Sequence, residues 1–279
     1  MQKRIAVIND LSCFGRCALS ISMPILSVAG LEVCAIPTAV LSSHFAFKNP
    51  VYIDTTSYFE DITNHWLSLN LKFDAIFTGF IGSFDMIKMV SLFIDKFKTS
   101  ETKTIIDPTM ADNGKFYSSP IFSLEYLEEM KNLCKKADII MPNITEACFL
   151  AEIEYKESLG EKFYIEAIIK KLLKEYSKTV ILTGVSLDKS NIGCALAEYG
   201  KEIEYIFSPK IDGRYFGTGD VFGSVFTGAI MKGIEYKKAA QHAADFVSIC
   251  VHKSNQVNTD NINGINFEQN LDKLTKMLN

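Results

Sequence analysis

Residues 75–98 read AIFTGFIGSFDMIKMVSLFIDKFK and form one repeating unit of the fold. The first four residues, Ala75–Thr78, have the apolar composition of a strand that is covered on both faces. A turn with two glycines follows, and residues 84–98 then place apolar side chains at helical spacing. Strand, turn and amphipathic helix in this order indicate a βαβ unit of a parallel sheet.

The same alternation of short apolar runs and helical segments continues along the chain. Five other runs have the composition of buried strands, at residues 4–8, 33–37, 104–107, 138–141 and 180–183. Helical spacing predicts further helices near residues 17–30, 56–70, 121–136, 161–177, 218–232 and 235–253. Two later runs, 193–198 and 202–207, flank Tyr199-Gly200-Lys201 and indicate an antiparallel hairpin near one sheet edge. We therefore expect a single α/β domain over residues 1–279 with a mostly parallel sheet.

The composition is that of a soluble globular protein and narrows the choice of partners. The 279 residues carry 29 Lys and Arg against 33 Asp and Glu, without a basic run that would favour nucleic acid or an anionic membrane. No uncharged stretch reaches the ~20 apolar residues of a membrane span. The seven cysteines are scattered without a C-x-x-C pair, as in reduced intracellular proteins. We expect a cytoplasmic protein with neither a nucleic acid nor a membrane partner.

Polar residues gather directly after the predicted strands. Parallel sheets bind ligands outside the carboxyl ends of their strands, so these residues are candidates for a site. They lie at 9–12, 38–44, 79–82, 107–112, 143–146 and 184. Turns need only small and turn-forming residues, and the carboxylates and the histidine in this set therefore point to a site.

Residues 217–223, GTGDVFG, open a predicted helix with two glycines and a threonine. Bare N–H groups at a helix N-terminus, aided by the helix dipole, form an anion site, and glycine lets the anion approach them. A carboxylate at Asp220 is explained if it accepts the proton of an attacking alcohol. An ordinary helix start with aspartate in its first turn explains the same residues.

Five segments together resemble one family. GTGDVFGS at 217–224 resembles the signature of the ribokinase-like small-molecule kinases. Four others are similar, in the expected order, to segments of its vitamin B6 kinase branch: TAVLSSH (38–44), TGFIGS (78–83), DPTMADNGKFY (107–117) and ADIIMPNITEA (137–147). The resemblance spans roughly residues 4–255. It implies a ribokinase-like three-layer α/β/α sandwich with a mostly parallel central sheet and an antiparallel edge hairpin.

The resemblance implies a catalytic role for the start of the 218–232 helix. Asp220 would accept the proton of the substrate hydroxymethyl group. The amides of Gly217, Thr218 and Gly219 would form an anion hole for the transferred phosphoryl group.

The resemblance also implies an ATP side and a metal. Contacts with ATP are implied for Asp107, Asp112, Tyr117, Asn143, Glu146, Thr183, Gly184 and Gly219. Asp107 and Glu146 would hold Mg²⁺ through water. Helix capping by Glu146 and an Asp-Pro turn at Asp107 explain these two residues without a metal.

On the substrate side the resemblance implies His44 near a pyridine ring and Phe80 against the ring face. A structural histidine and a core aromatic residue are the alternatives. The first loop departs from the branch, because Asp10 stands where pyridoxal kinases have serine. Asp10 followed by Ser12 is similar to the D-P-S of hydroxymethylpyrimidine kinases, and it would accept from a protonated ring nitrogen or an amine. A helix N-cap at Asp10 is the alternative.

The first interpretation is ATP-dependent phosphorylation of the 5′-hydroxymethyl group of pyridoxal, pyridoxamine or pyridoxine. Within the family, a hydroxymethylpyrimidine kinase is the alternative, and a sugar or nucleoside kinase comes third. From other classes, a non-catalytic nucleotide or B6 sensor would have no need for Asp220, and an oxidoreductase would need a dinucleotide fingerprint after the first strand. The resemblance implies Mg²⁺ with ATP and a homodimer, and leaves a requirement for K⁺ open.

Overall fold

A nine-stranded sheet forms the centre of the molecule. The structure is a computed structural model that describes residues 2–117, 121–156 and 161–279. Its strands are β1 (Arg4–Ser12), β2 (Glu32–Leu41), β3 (Tyr52–Asp54), β4 (Ala75–Thr78), β5 (Lys103–Ile106), β6 (Ala111–Asp112), β7 (Lys115–Phe116), β8 (Ile139–Ile140), β9 (Thr179–Val185), β10 (Asn191–Glu198) and β11 (Glu204–Pro209). The order across the sheet is β11-β10-β9-β8-β5-β4-β1-β2-β3, and β6 pairs with β7 in a separate small hairpin.

The interior of the large sheet is parallel and its edges are antiparallel. The strands from β9 to β2 run parallel to one another. At one edge β10 and β11 form the expected antiparallel hairpin, and at the other edge β3 pairs antiparallel with β2. The carboxyl ends of β1, β4, β5 and β8 therefore open on the same side of the sheet.

Helices cover both faces of the sheet. They are α1 (Leu19–Val28), α2 (Thr56–Ser68), α3 (Phe84–Phe97), α4 (Leu124–Cys134), α5 (Ile144–Ala151), α6 (Lys162–Glu175), α7 (Thr218–Met231), α8 (Tyr236–Gln256) and α9 (Leu271–Leu278). None of the helices in the three described ranges is long and apolar enough to cross a membrane.

The strand β1 shows why the sequence of this sheet is apolar throughout. Ala6 and Ile8 pack into a core with α2 to α6, whereas Ile5 and Val7 pack into a second core with α1, α7, α8 and α9. All four side chains are fully buried. Adjacent residues of a strand point to opposite faces, so a strand between two helical layers has no polar face. The three-layer α/β/α sandwich is confirmed.

Several local features differ from the expectation. Helix α1 begins at Leu19, two residues late, because Ala18 before it has a positive φ of 51°. Helix α5 and the small β6–β7 hairpin were not predicted. The hairpin turns at Asn113-Gly114, both with positive φ, and an Asn-Gly pair is the strongest short hairpin signal in a sequence.

Candidate active site

Asn9 ties together three elements at the carboxyl end of the sheet. Its Oδ1 accepts the backbone N–H of Phe80, after β4, at 2.8 Å and that of Asp10 at 3.0 Å. Its side chain also forms a hydrogen bond with the carboxylate of Asp220 on α7. The side chain is 1% exposed. Asn9 belongs to the candidate stretch 9–12, but no role was predicted for it, because nothing in its local sequence indicates a partner so distant in the chain.

The start of α7 leaves backbone donors free beside open space. Gly217 precedes the helix with φ of 82°, and a Cβ there would lie 2.5 Å from the carbonyl oxygen of Arg16. The N–H groups of Thr218, Gly219 and Asp220 have no acceptor within the described chain, as is normal for the first turn of a helix. Apart from its chain neighbours and the backbone of its own helix, no described atom lies within 4 Å of the position of a Cβ on Gly219. This helix start can therefore receive an anion.

Asp220 is held from two sides. Its carboxylate accepts hydrogen bonds from the side chain of Asn9 and from the backbone N–H of Ala18. Burial raises the pKa of Asp220, and the two hydrogen bonds oppose that rise. Ala18 reaches this position in a conformation, φ 51° and ψ −131°, that L residues rarely adopt. The conformation therefore places strain next to the candidate base.

Asp10 and Ser12 lie near Asp220. The hydroxyl of Ser12 donates to Oδ2 of Asp10 at 2.9 Å, and both side chains are buried. Burial, with the nearby charge of Asp220, raises the pKa of Asp10 to about 7. The thiol of Cys17 also lies near both carboxylates, and burial raises its pKa well above the usual range. Cys17 therefore belongs to this part of the site, although no pattern in the surrounding sequence indicates such a position.

Asp107 also lies near Asp220, and Glu146 lies near Asp107. Burial, with the charge of Asp220, raises the pKa of Asp107 to about 7, opposed by a hydrogen bond with Thr109. Burial and the nearby charge of Asp107 raise the pKa of Glu146. Asp10, Asp220, Asp107 and Glu146 thus form a carboxylate cluster, in which each member acts electrostatically on at least one other.

Both oxygens of Glu146 are held by backbone donors. Oε1 accepts the N–H groups of Met110 at 3.0 Å and Ala111 at 3.4 Å, and Oε2 accepts that of Asn143 at 2.9 Å. Asn143 caps α5 in return, which completes a capping box. Glu146 therefore joins the loop after β5 to the start of α5, as the helix-capping alternative expects. Its carboxylate also interacts electrostatically with that of Asp107.

The other residues expected near ATP surround this loop. The side-chain amide of Asn143 donates to the carbonyl of Ala111 at 2.7 Å, and the N–H of Thr183 donates to the carbonyl of Pro142 at 2.9 Å. Gly184 has positive φ and faces open space.

Asp112 and Tyr117 flank the small hairpin. Asp112 is exposed, and its carboxylate accepts hydrogen bonds from the backbone N–H and the side-chain amide of Asn113. Burial and nearby carboxylates, Glu146 first, raise the pKa of Tyr117 well above its usual range. Tyr117 therefore faces the carboxylate cluster, whereas the hydrogen bonds of Asp112 stay within the hairpin turn.

His44 is bound to the protein backbone. Its Nε2 lies 2.8 Å from the carbonyl oxygen of Ile262, and its ring lies 4.8 Å from the rings of both Phe47 and Phe216. A Cβ on Gly15 would lie 2.4 Å from the imidazole. Burial lowers the pKa of His44, and a neutral ring that donates to the carbonyl fits this environment. These contacts match the structural alternative for His44.

Phe80 lines the same end of the sheet. It is 8% exposed, and its ring packs edge-on against Phe45 at 5.9 Å and Phe122 at 5.9 Å. Phe45 is 37% exposed. The N–H of Phe80 binds Asn9 at the end of β1, so this aromatic group borders the candidate site.

The acidic residues fit a hydrated cation better than a directly ligated one. Among the described residues, no group of three or more His, Cys, Asp or Glu side chains is placed to hold a metal ion. Glu146 already has backbone donors on both oxygens. Mg²⁺ keeps several waters when it binds with nucleotide phosphates. A cluster of carboxylates that no described lysine or arginine side chain neutralises suits such an ion.

A parallel sheet that ends in an aspartate, a bare helix start and an acidic cluster defines the class of small-molecule kinases with the ribokinase-like fold. The sequence profile of the phosphomethylpyrimidine kinase family matches residues 54–265, and the chain belongs to that family. The resemblance to the ribokinase-like kinases and their vitamin B6 branch is thereby confirmed.

Three relatives illustrate the range of the family. A protein of Bacteroides thetaiotaomicron assigned as a phosphomethylpyrimidine kinase, in a crystal form with pyridoxal, is 34% identical, with a TM-score of 0.93 over 98% of this chain and 96% of its own. Pyridoxine kinase of Bacillus subtilis is 27% identical, over 66% of each chain. Hydroxymethylpyrimidine/phosphomethylpyrimidine kinase of the same organism is 28% identical, also over 66% of each chain. The matches span between 52% and 89% of the length of the first curated relatives.

Proposed function

We propose that this protein transfers the terminal phosphoryl group of ATP to the 5′-hydroxymethyl group of a vitamin B6 vitamer. The observation that carries the proposal is the placement of Asp220, held by Asn9 and Ala18, at the bare start of α7. The likeness to a structure with pyridoxal, at 34% identity, and to a named pyridoxine kinase supports the vitamer as substrate.

In the proposed reaction Asp220 accepts the proton of the hydroxymethyl group as its oxygen attacks the phosphorus of ATP. The oxygen–phosphorus bond to ADP breaks as the new bond forms. The amides of Gly217, Thr218 and Gly219 donate to the oxygens of the phosphoryl group in transit. Phosphoryl transfer has a loose transition state, so positioning and charge stabilisation contribute more than proton removal. A base with a raised pKa suits this step, because it binds the proton more strongly than an ordinary carboxylate does.

Mg²⁺ bound with ATP would neutralise phosphate charge at the acidic side of the site. Asp107 and Glu146 would hold it through water, since the two oxygens of Glu146 are occupied by backbone donors. Asn143, Thr183 and Gly184 would border the nucleotide. Phe80 would border the substrate ring.

The proposal is tested by parallel phosphorylation assays with ATP and Mg²⁺, each with and without K⁺. Pyridoxal, pyridoxamine, pyridoxine and hydroxymethylaminopyrimidine are compared, with the variant Asp220→Asn as control. Turnover of the vitamers that is lost in the variant is the expected result. Turnover of the pyrimidine alone would assign the protein as a hydroxymethylpyrimidine kinase. Ligand binding without turnover would assign it as a sensor.

A further inference from the structure

Asp10 is a buried carboxylate whose charge is not balanced by any described cation. It is 6% exposed, and the side chain that donates to it is the hydroxyl of Ser12. The charged group that acts on it is Asp220, which has the same sign. A carboxylate has about four acceptor positions, so Asp10 keeps capacity for a ligand. Leaving such a group unpaired is unfavourable.

Local structure does not account for the presence of Asp10. Helix α1 has Ala18 as its N-cap, and no side chain caps it, so the helix-capping alternative for Asp10 is wrong. The register of β1 against β2 shifts between Asn9 and Leu11. Such irregularities re-aim side chains beside functional sites. Asp10 is thus directed by the strand and steadied by Ser12 for a role outside the sheet.

The neighbourhood of Asp10 limits the part of a substrate that it can contact. Asp10 and Asp220 interact electrostatically, and both act on the thiol of Cys17. If Asp220 receives the hydroxymethyl proton, the ring substituent next to that group is a candidate for contact with Asp10, since the two carboxylates interact. In pyridoxamine this substituent is an aminomethyl group, which is protonated at neutral pH. In pyridoxine it is a neutral hydroxymethyl group, and in pyridoxal a carbonyl group.

We propose that Asp10 binds an amino group carried on the ring position next to the reacting hydroxymethyl group, and that the protein therefore prefers amine-bearing substrates. Among the vitamers this selects pyridoxamine. The inference rests on the proposed function for the position of the hydroxymethyl group. Asp10 is then the residue that determines specificity, and Ser12 fixes its orientation.

The test measures binding and turnover separately in the wild type and in Asp10→Asn. Calorimetric affinities for pyridoxamine and pyridoxine are determined without nucleotide, and kcat/KM for both is determined with ATP and Mg²⁺. Because the variant loses a charge-assisted hydrogen bond, its affinity for pyridoxamine is expected to fall roughly 10- to 100-fold. Its affinity for pyridoxine should fall by no more than about threefold. The variant Asp138→Asn, at the opposite end of the sheet, is the control and should leave both affinities unchanged.

The outcomes separate this inference from the proposed function. Equal losses for the two vitamers in Asp10→Asn, or no loss for pyridoxamine, would overturn the role of Asp10, as would wild-type protein that binds pyridoxine more tightly than pyridoxamine. Intact, amine-selective binding without turnover of any vitamer would overturn the kinase proposal and leave the amine site standing. Unfolding midpoints of both variants confirm that the comparison is made on folded protein.

Discussion

At the amino ends of the strands, Asp74 and Asp138 each stand directly before a strand and bind the strand beside it. Asp74 accepts the backbone N–H of Arg4, at the start of β1, at 2.8 Å. Asp138 accepts the backbone N–H of Thr104 in β5 at 2.8 Å and pairs with Lys98 at 3.1 Å. These aspartates satisfy donors that the sheet would otherwise leave free at its border.

At the carboxyl ends of the same strands, the aspartates have hydrogen-bond partners but no described cation acts on them. Asp10 follows the core of β1 and Asp107 follows β5, and burial raises the pKa of each to about 7. The charged neighbour that acts on both is Asp220, which adds repulsion. The same residue type therefore stabilises one end of the sheet and costs stability at the other. The unfavourable end is the one where the proposed ligands would bring positive charge and proton donors.

The largest expected effect distinguishes the two ends by activity. Asp220→Asn is expected to lower kcat by ~10²–10⁴-fold, because the amide keeps the shape of the side chain but cannot accept a proton. Steady-state phosphorylation of the preferred vitamer measures it. Asp138→Asn, at the amino end, should retain nearly wild-type kcat. A similar kcat in wild type and Asp220→Asn would remove Asp220 as the base.

A pair of glycine variants separates the folding role of the helix start from its role toward the anion. Gly217→Ala should lower the free energy of unfolding by ~1–3 kcal/mol, since φ is positive and the Cβ would meet Arg16 and Ile21. Gly219→Ala meets no described atom and, as a helical residue, should leave stability unchanged or slightly higher.

The activity of Gly219→Ala gives the second half of that comparison. Its methyl group would occupy the approach to the free N–H groups, so we expect kcat/KM for ATP to fall by roughly tenfold. Urea unfolding and steady-state kinetics measure the two properties on the same preparations. Wild-type kinetics in Gly219→Ala would show that no anion binds there.

The stability of Asp10→Asn should depend on pH. The pKa of Asp10 is about 7 in the folded protein and ~3.9 in an unfolded chain. Between these values the folded state holds a proton that the unfolded state has lost, so the contribution of Asp10 to stability falls as pH rises through 7. Asparagine removes this dependence. Ligand-free Asp10→Asn should exceed the wild type in stability, by ~2 kcal/mol more at pH 8 than at pH 5.5.

Urea unfolding at the two pH values checks this difference. Comparing the variant with the wild type at each pH cancels the titration of other groups. A variant less stable than the wild type at pH 8 would mean that the folded protein stabilises the charge of Asp10. The two ends of the sheet would then not differ in this respect.

The smallest expected effect is a loss of stability in Asp138→Asn, opposite in sign to the gain expected for Asp10→Asn. Asp138→Asn keeps an acceptor for Thr104 but loses the charge that pairs with Lys98. The pair is about one-third exposed, so we expect a loss of no more than ~1 kcal/mol in the free energy of unfolding. Urea unfolding at pH 8 places this loss beside the gain expected for Asp10→Asn. A gain in both variants would show that burial of charge, and not its position in the sheet, decides the outcome.

Periodicity was sufficient to predict the sheet and most helices. The runs around Ile5–Ile8 and Ala75–Thr78 are apolar because both faces are covered, and this property is local in sequence. The edge strand β3 and helix α5 are too short to show a clear period. The Asn113-Gly114 turn was missed because residues 107–117 were interpreted by their resemblance to a family motif and not by their turn-forming residues.

The candidate site was predictable only in part. The residues that follow strands are identifiable because topology brings them to one edge, and Asp10, Asp107, Glu146 and Asp220 indeed form one cluster. The contacts that organise them are not local. The hydrogen bond of Asn9 to Asp220, the backbone conformation of Ala18 and the bond from His44 to Ile262 each join distant segments. No spacing rule within a short window contains them.

The hydrogen bond between Asn9 and Asp220 also bears on protein synthesis. The strand β1 leaves the ribosome well before Asp220, which follows all eleven described strands in the chain. Helix α7 shares one core with α1, so Asp220 reaches Asn9 only when α7 has docked against that core. A nascent chain can therefore pair its strands before Asp220 is in place. If Asp220 is the base, as proposed, chains released before that point would be unable to transfer phosphate from ATP.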